Sequence, residues 1–437
     1  MAGTSFFFFS SNQSLCVLFQ VKNWKKKMSD FLAHDMFIDV LTRLPVKTLV
    51  RCACVCKSWY SFLTNPNFIT THLNRSSIAN TDNNNNFLLV RSRSGDEADV
   101  VHYSLLRSEN GMLCDDAELE LPLKDPSDRF LRIIGSCNGL VCLVEDFHGY
   151  GRSFYLWNPS IRKTITLPPL RVSFQSHSPF MHSVGFGFDA RTDDYKVVRI
   201  VHLWPPDDFE LPPEIDIFSL STGTWRNISH LGLQYVIYER APQAYLNGSA
   251  HWLAYNRRME GFFSLIVSFH MGDEIFGENM VPAGCTFYSG SNARVAKFQE
   301  SLSLIDGIWG KTCSIWVMKE YGIADSWTKQ FNIDTSVGFE SVVGFTRKGE
   351  VLLGLNSGYL VAYDPDTERV LHLNIRGTTD RWCMDSFYGD AYTKSLVLLG
   401  AKLPNTGACE EAKKSKKRRA KHLYPKTFVI SCIPKHL

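Results

Sequence analysis

The absences in this chain narrow its function before any motif does. No run of eighteen apolar residues occurs in its 437 residues. That excludes a conventional membrane-spanning helix, and no membrane association is expected. The 12 cysteines include no C-x-x-C pair. Cys52, Cys54 and Cys56 alternate along a stretch of helical periodicity, and alternate helical residues point in different directions. Their spacing is poor geometry for one zinc, and the thiols are expected to stay reduced. H-E-x-x-H and G-x-S-x-G are both missing. Gly310-Lys311-Thr312 has the look of the end of a phosphate-binding loop, but Ile305 stands where the cradle's first glycine belongs. The 13 histidines are scattered. His251, beside Trp252, reads as a packed strand residue, and Asp207-Asp208 and Glu410-Glu411 read as solvated loop pairs. A formal net charge of +3 is too small for a polyanion binder. The sequence therefore predicts no enzyme, no catalytic or metal-binding residue, no cofactor and no nucleic-acid partner. Adjacent glycines are absent as well.

What is present is a globular composition, 44% hydrophobic and 21% charged, with length enough for two domains. The aromatic share is 13%, with 30 Phe, 16 Tyr and 10 Trp alongside 29 Gly and 18 Pro. Such a mixture leans toward strands and turns.

Residues 1–27 read as a disordered extension. Phe6 to Phe9 are aromatic and Cys16 to Val21 apolar, but Lys25-Lys26-Lys27 follows the apolar part. A secretory signal places its positive charge first.

From Leu32 to Arg75 the period is helical. Met36, Phe37, Val40, Leu41 and Leu44 share one face before Pro45, and Leu49, Val50, Ala53, Val55, Cys56, Trp59 and Leu63 follow before Asn65-Pro66. Two or three short helices are expected. So small a module rarely buries enough apolar surface to fold alone, and it carries more large apolar residues than it can hide. Composition leaves open whether the excess binds a partner or docks on the rest of the chain.

This stretch resembles the F-box, through Leu32, Asp35, Met36, Asp39, Val40, Leu41, Arg43-Leu44-Pro45, Lys47, Leu49, Val50, Arg51 and Val55-Cys56-Lys57-Ser58-Trp59. Leu-Pro-Val-Lys, Val-Cys-Lys-Ser-Trp-Tyr and the Asn-Pro-x-Phe…His-Leu tail are similar to the plant branch. Ala33 departs from the family's opening Leu-Pro. The F-box is placed at 28–75, and the polar stretch 76–86, ending in Asn83 to Asn86, is read as a linker.

From Phe87 the pattern alternates, and short strands recur around Tyr103, Trp157, Phe218, Phe269, Trp316 and Tyr363. Their spacing is near the period of about 50 expected of a kelch-like blade. Asn138-Gly139, Asn247-Gly248 and Lys348-Gly349 supply hairpin turns, and outer strands are expected near Trp225 and Trp327. The expected fold is therefore a small α-helical F-box followed by an all-β propeller of six kelch-like blades over 87–437. Lys426 to Ile433 is read as a strand that could close the ring. Kelch blades usually carry adjacent glycines, which this chain lacks. The region instead resembles the F-box-associated domain of plant F-box proteins, through Ser136-Cys137-Asn138-Gly139-Leu140-Val141, Leu156-Trp157-Asn158-Pro159-Ser160, Leu167-Pro168, Gly185-Phe186-Gly187-Phe188-Asp189 and Asp194-Tyr195-Lys196-Val197-Val198.

The resemblance implies the receptor subunit of an SCF-type ubiquitin ligase, bound to a Skp-type adaptor and through it to a cullin, with a protein substrate on the propeller. The alternative is a propeller scaffold or glycan-binding module without a degradation role. For adaptor contact it implies Leu32, Met36, Val40, Leu41, Leu44, Pro45, Leu49, Val50, Val55, Trp59 and Leu63, with Lys47 and Lys57 as rim charges. Candidate substrate loops are Glu145 to Ser153, Ser173 to His182, Leu203 to Glu214 and Tyr255 to Phe262. Lys413, Lys414, Lys416, Lys417, Arg418 and Arg419, in a basic loop or tail over 410–421, form a candidate nuclear-import signal or a solvated loop. Cytoplasm and nucleus are the expected locations.

Overall fold

Proline punctuation and apolar spacing set the first elements. The computed structural model describes residues 34–401, apart from 83–86, 94–99, 110–111, 122–130, 146–152, 171–179, 204–211, 239–241, 257–262, 284, 286–292, 308–312, 335–337 and 379–385. The expected extension over 1–27, Leu32, the basic run and the strand expected over 426–433 lie outside the described residues. Four helices come first: α1 (His34–Thr42), α2 (Val46–Ala53), α3 (Lys57–Leu63) and α4 (Pro66–Asp82). Pro45 is extended, with φ −60° and ψ 147°, and stands as the N-cap of α2. Pro66 opens α4, where its missing N–H costs nothing. Asn65 caps that helix, its Oδ1 accepting from the Asn67 amide at 2.9 Å. The stretch expected to be a linker, 76–86, is helical through Asp82. Its polarity suggested a linker, but it holds no glycine or proline to break the helix that Phe68 and Leu73 anchor.

The strands then form six sheets, each a blade of a propeller. The six repeat anchors each fall on the third strand of their own blade: Val101–Glu109, Phe154–Asn158, Glu214–Ser219, Phe263–His270, Cys313–Met318 and Tyr359–Asp364. The outer strands expected near Trp225 and Trp327 are Thr224–Asn227 and Trp327–Ile333. The hairpin turns adopt the left-handed backbone that their residues permit, with φ of 52° and 80° at Asn138 and Gly139 and 49° and 74° at Asn247 and Gly248. In blade 4 the inner position is shared by Val236–Ile237 and Ala244–Leu246.

Ring closure comes earlier in the chain than the expected strand at 426–433. Phe387–Tyr392 takes the innermost place of blade 1, antiparallel to Phe87–Arg93. The first blade thus combines the last described strand with the first three, so the ring is closed by backbone hydrogen bonds. Mixed apolar clusters fill the spaces between blades: Leu89, Tyr103, Val141 and Trp157 join blades 1 and 2, and Ile217, Trp252 and Phe269 join blades 3 and 4. Phe154 and Trp225 meet edge-on at 5.6 Å between blades 2 and 3.

The alternation of strand direction sorts the connections onto two faces. First-to-second and third-to-fourth connections are short turns, such as 138–139, 220–223, 247–248 and 365–368. Second-to-third and blade-to-blade connections all emerge on the opposite face. The helices sit on the short-turn face, where α2 packs on the 3₁₀ turn Pro159–Ile161 of blade 2.

Candidate functional site

The helical module has two apolar faces, and they do different things. One face is consumed inside the chain. Leu41, Val46, Leu49, Cys52, Ala53, Leu63 and Phe68 form a buried cluster with Leu396 from the segment after the closing strand, and Ile161 and Leu399 pack against it. The helices do dock on the propeller, and the docking leaves some of their apolar side chains exposed. Other apolar side chains of the module stay open: Met36 is 57% exposed, Val40 51%, Val55 47% and Tyr60 47%. Pro45, Lys47 and Lys57 are exposed as well.

The residues selected from sequence divide accordingly. Met36, Val40, Pro45, Lys47, Val55 and Lys57 are available to a partner. Leu44, Val50 and Trp59 are half-buried, with Trp59 edge-on to Phe37 at 5.7 Å between ring centres. Leu41, Leu49 and Leu63 hold the helices together and present no surface. Helical spacing marks both sets as apolar; it does not say which stripe meets the propeller. Tyr60 was missed, and its signal was weak: it adjoins Trp59 in α3, but a tyrosine in an apolar run reads as core.

Polar ties fix α4 to α1 and to the turn that follows it. Arg75 of α4 and Arg43 both bond the Asp39 carboxylate, the latter through Nε at 3.0 Å. The Arg75 bond, then the Arg43 bond, holds the Asp39 carboxyl below its usual range. His72 donates from Nε2 to the Leu44 carbonyl at 3.0 Å. Burial lowers the His72 pKa, and that carbonyl partly opposes the shift.

The family motifs in the propeller are joints. On the innermost strand of blade 3, Gly187 leaves room for the Tyr245 ring of blade 4 and Gly185 for the Trp252 ring, while Gln243 and Tyr245 bond the backbone between and beyond them. Gln243 Oε1 accepts from the Phe186 amide at 2.7 Å and its Nε2 donates to the Phe186 carbonyl at 2.8 Å. Tyr245 Oη accepts from the Phe188 amide at 3.0 Å and donates to its carbonyl at 2.7 Å. A Cβ on Gly187 would lie 2.2 Å from the Tyr245 ring. Asp189 and Lys196 pair at 2.9 Å, and Lys196 also donates to the Met271 carbonyl at 2.8 Å and to Glu274 at 3.0 Å. Burial pushes Asp189 up, but the Lys196, Thr192 and Arg191 donors outweigh it and bring the pKa to about 2. Trp225 Nε1 donates to the Pro168 carbonyl at 2.9 Å, which ties the Leu167-Pro168 segment to blade 3.

Two further polar groups invite a catalytic reading and have structural partners. His251 is fully buried, with Nδ1 3.0 Å from the Ala244 carbonyl and Nε2 2.7 Å from the Tyr321 hydroxyl. Desolvation brings its pKa down to about 4. Asp390 accepts from Ser136 and Tyr388, each at 3.1 Å, at the seam between the closing strand and blade 2, and burial raises its pKa. Among the described residues no group of three His, Cys, Asp or Glu side chains is placed to hold a metal ion. No helix among them is long and apolar enough to cross a membrane.

The four candidate substrate loops lie largely outside the described residues, but the strand ends that bound them are described. Glu145, Leu203 and Asn256 end second strands, and Phe180 begins an inner strand. All four stretches therefore leave the propeller on the face opposite the helices.

This arrangement defines a class: a closed six-bladed propeller with a small helical module seated on its short-turn face. Comparison with known proteins gives the family. The chain belongs to the F-box associated β-propeller family, whose domain matches residues 106–392, and it carries an F-box domain at 32–71. It is 29% identical to the F-box protein CPR1 of Arabidopsis thaliana over 394 residues, covering 83% of this chain and 88% of CPR1. It is 28% identical over 331 residues to an F-box/kelch-repeat protein of the same plant, covering 75% of this chain and 86% of that one. It is a plant F-box protein with a C-terminal F-box-associated domain.

Proposed function

We propose that this chain is the substrate-receptor subunit of an SCF-type ubiquitin ligase. The F-box would bind a Skp-type adaptor, and through it a cullin, while the far face of the propeller holds a protein substrate. The observation that carries this reading is that four large apolar side chains of the module, Met36, Val40, Val55 and Tyr60, remain open although Leu41, Leu49 and Leu63 of the same module are buried in the cluster that meets the propeller. An apolar strip left open on a docked module is where a partner gains most from burial. The role needs no acid, base or nucleophile from this chain, because holding substrate near a ubiquitin-charged enzyme turns a bimolecular encounter into a local one. The second-to-third and blade-to-blade connections leave the propeller on the face opposite the helices, so substrate and adaptor would not compete for one surface.

The test is turnover. Proteins captured by the full chain are followed for half-life in cells carrying the wild-type chain or Val55→Asp. The expected result is that both chains capture the same protein and only the wild type shortens its life. Equal half-lives would favour a scaffold over a ligase receptor. Nuclear entry through Lys413–Arg419 is part of the same proposal; replacing those six basic residues with alanine should hold the chain in the cytoplasm on imaging.

A further inference from the structure

The segment after the closing strand is bound from both sides. On the propeller side, fully buried Asn158 donates from Nδ2 to the Val397 carbonyl at 2.7 Å and the Ser395 carbonyl at 3.1 Å. Tyr392 Oη, at the end of the closing strand, donates to the Gly139 carbonyl at 3.1 Å. On the helix side, Leu396 is 1% exposed within the F-box cluster. Gly400 comes so close to the end of α3 that a Cβ there would lie 2.8 Å from Thr64 Cβ. Between these anchors Leu398 has a φ of +71°, a conformation unfavourable for a bulky side chain and kept only where the surroundings enforce it.

We propose that Ser395–Gly400 is a pin through which ring closure sets the order of the F-box helices, so that α2 and α3 keep their partner-facing arrangement only while the pin is seated. The F-box of this chain is then a dependent of the closed propeller. The partner in question is the adaptor of the preceding section, so the inference rests on that reading for its purpose, but the helices can be read without any partner.

The experiment is amide hydrogen exchange on the full chain. Leu396→Ala removes the pin's buried side chain. Losing a buried leucine of this kind is expected to speed exchange in α2 and α3 by about thirtyfold or more. Leu304→Ala, equally buried in blade 5, should loosen the propeller without speeding those helices. Unchanged α2 and α3 exchange in Leu396→Ala would overturn the proposal, and so would an equal rise in Leu304→Ala. Should Leu396→Ala fail to fold, Gly400→Ala wedges the pin from the helix side alone. It should speed exchange in α3, and adding Thr64→Gly should restore it; no change in Gly400→Ala overturns the proposal as well. If the wild-type chain shows no adaptor binding, the receptor reading fails while the exchange result stands.

Discussion

Substitutions on the two apolar faces of the F-box helices should separate binding from stability. Burying an apolar side chain completely is worth about 1.5–3 kcal/mol. Met36, Val40, Val55 and Tyr60 are each about half exposed, at 57%, 51%, 47% and 47%. Covering the remainder gains about 1 kcal/mol per residue, or about 4 kcal/mol for the strip. At about 1.4 kcal/mol per tenfold in affinity, the strip accounts for roughly a thousandfold. Val55→Asp loses its share and also forces a carboxylate out of water, so adaptor affinity should fall by about a hundredfold or more. Its urea midpoint should match the wild type, because the site is half open. Leu49→Ala is the converse: Leu49 is 0% exposed, and its truncation should cost about 2–5 kcal/mol of helix stability. Calorimetric titration with purified adaptor, beside urea unfolding followed by circular dichroism, measures both quantities. Val55→Asp binding as well as the wild type, or unfolding much earlier, would refute this division of faces. Trp59→Ala mixes the two effects, since Trp59 is half-buried against Phe37.

Other perturbations test the propeller. The folded His251 has a pKa near 4 against an ordinary 6.5, so the unfolded chain takes up its proton first on acidification. Stability from this group is full above pH 6.5 and lost as the pH falls toward 4, by up to about 3 kcal/mol; His72 shifts in the same direction. Urea midpoints measured across that window should fall less steeply in His251→Gln. Lys196→Met leaves the Asp189 carboxylate buried without its ammonium and should cost about 3–5 kcal/mol in the same assay. Gly187→Ala drives a methyl group into the Tyr245 ring and should cost about 1–3 kcal/mol, with Tyr245→Phe, which only loses hydrogen bonds, as the comparison.

Much of the architecture was legible because its signals are local. The six aromatic anchors each mark the third strand of a blade, and the Asn-Gly turns announce hairpins by their left-handed backbone. Ring closure was not legible. Phe387–Tyr392 and a strand expected at 426–433 read alike in one dimension, and only pairing with Phe87–Arg93 distinguishes them. The extension of α4 to Asp82 was hidden by polar composition, which resembles a linker wherever the anchoring residues lie earlier in the helix. In the F-box, apolar periodicity found the helices. The family resemblance puts Leu41, Leu49 and Leu63 on the same surface as Met36, Val40 and Val55, because only the position of Leu396, far along the chain, shows which of them are covered. The motifs Asn158-Pro159-Ser160 and Gly185-Phe186-Gly187 were visible as patterns, but their work as joints depends on Ser395, Val397, Gln243 and Tyr245.

The most direct measurement of the central claim is light scattering behind size-exclusion chromatography, on the full chain mixed with a Skp-type adaptor. The account predicts a single species with the mass of a one-to-one complex, replaced by two separate species when the chain carries Val55→Asp. Two separate species from the wild-type mixture, with the chain folded and monodisperse, would contradict it.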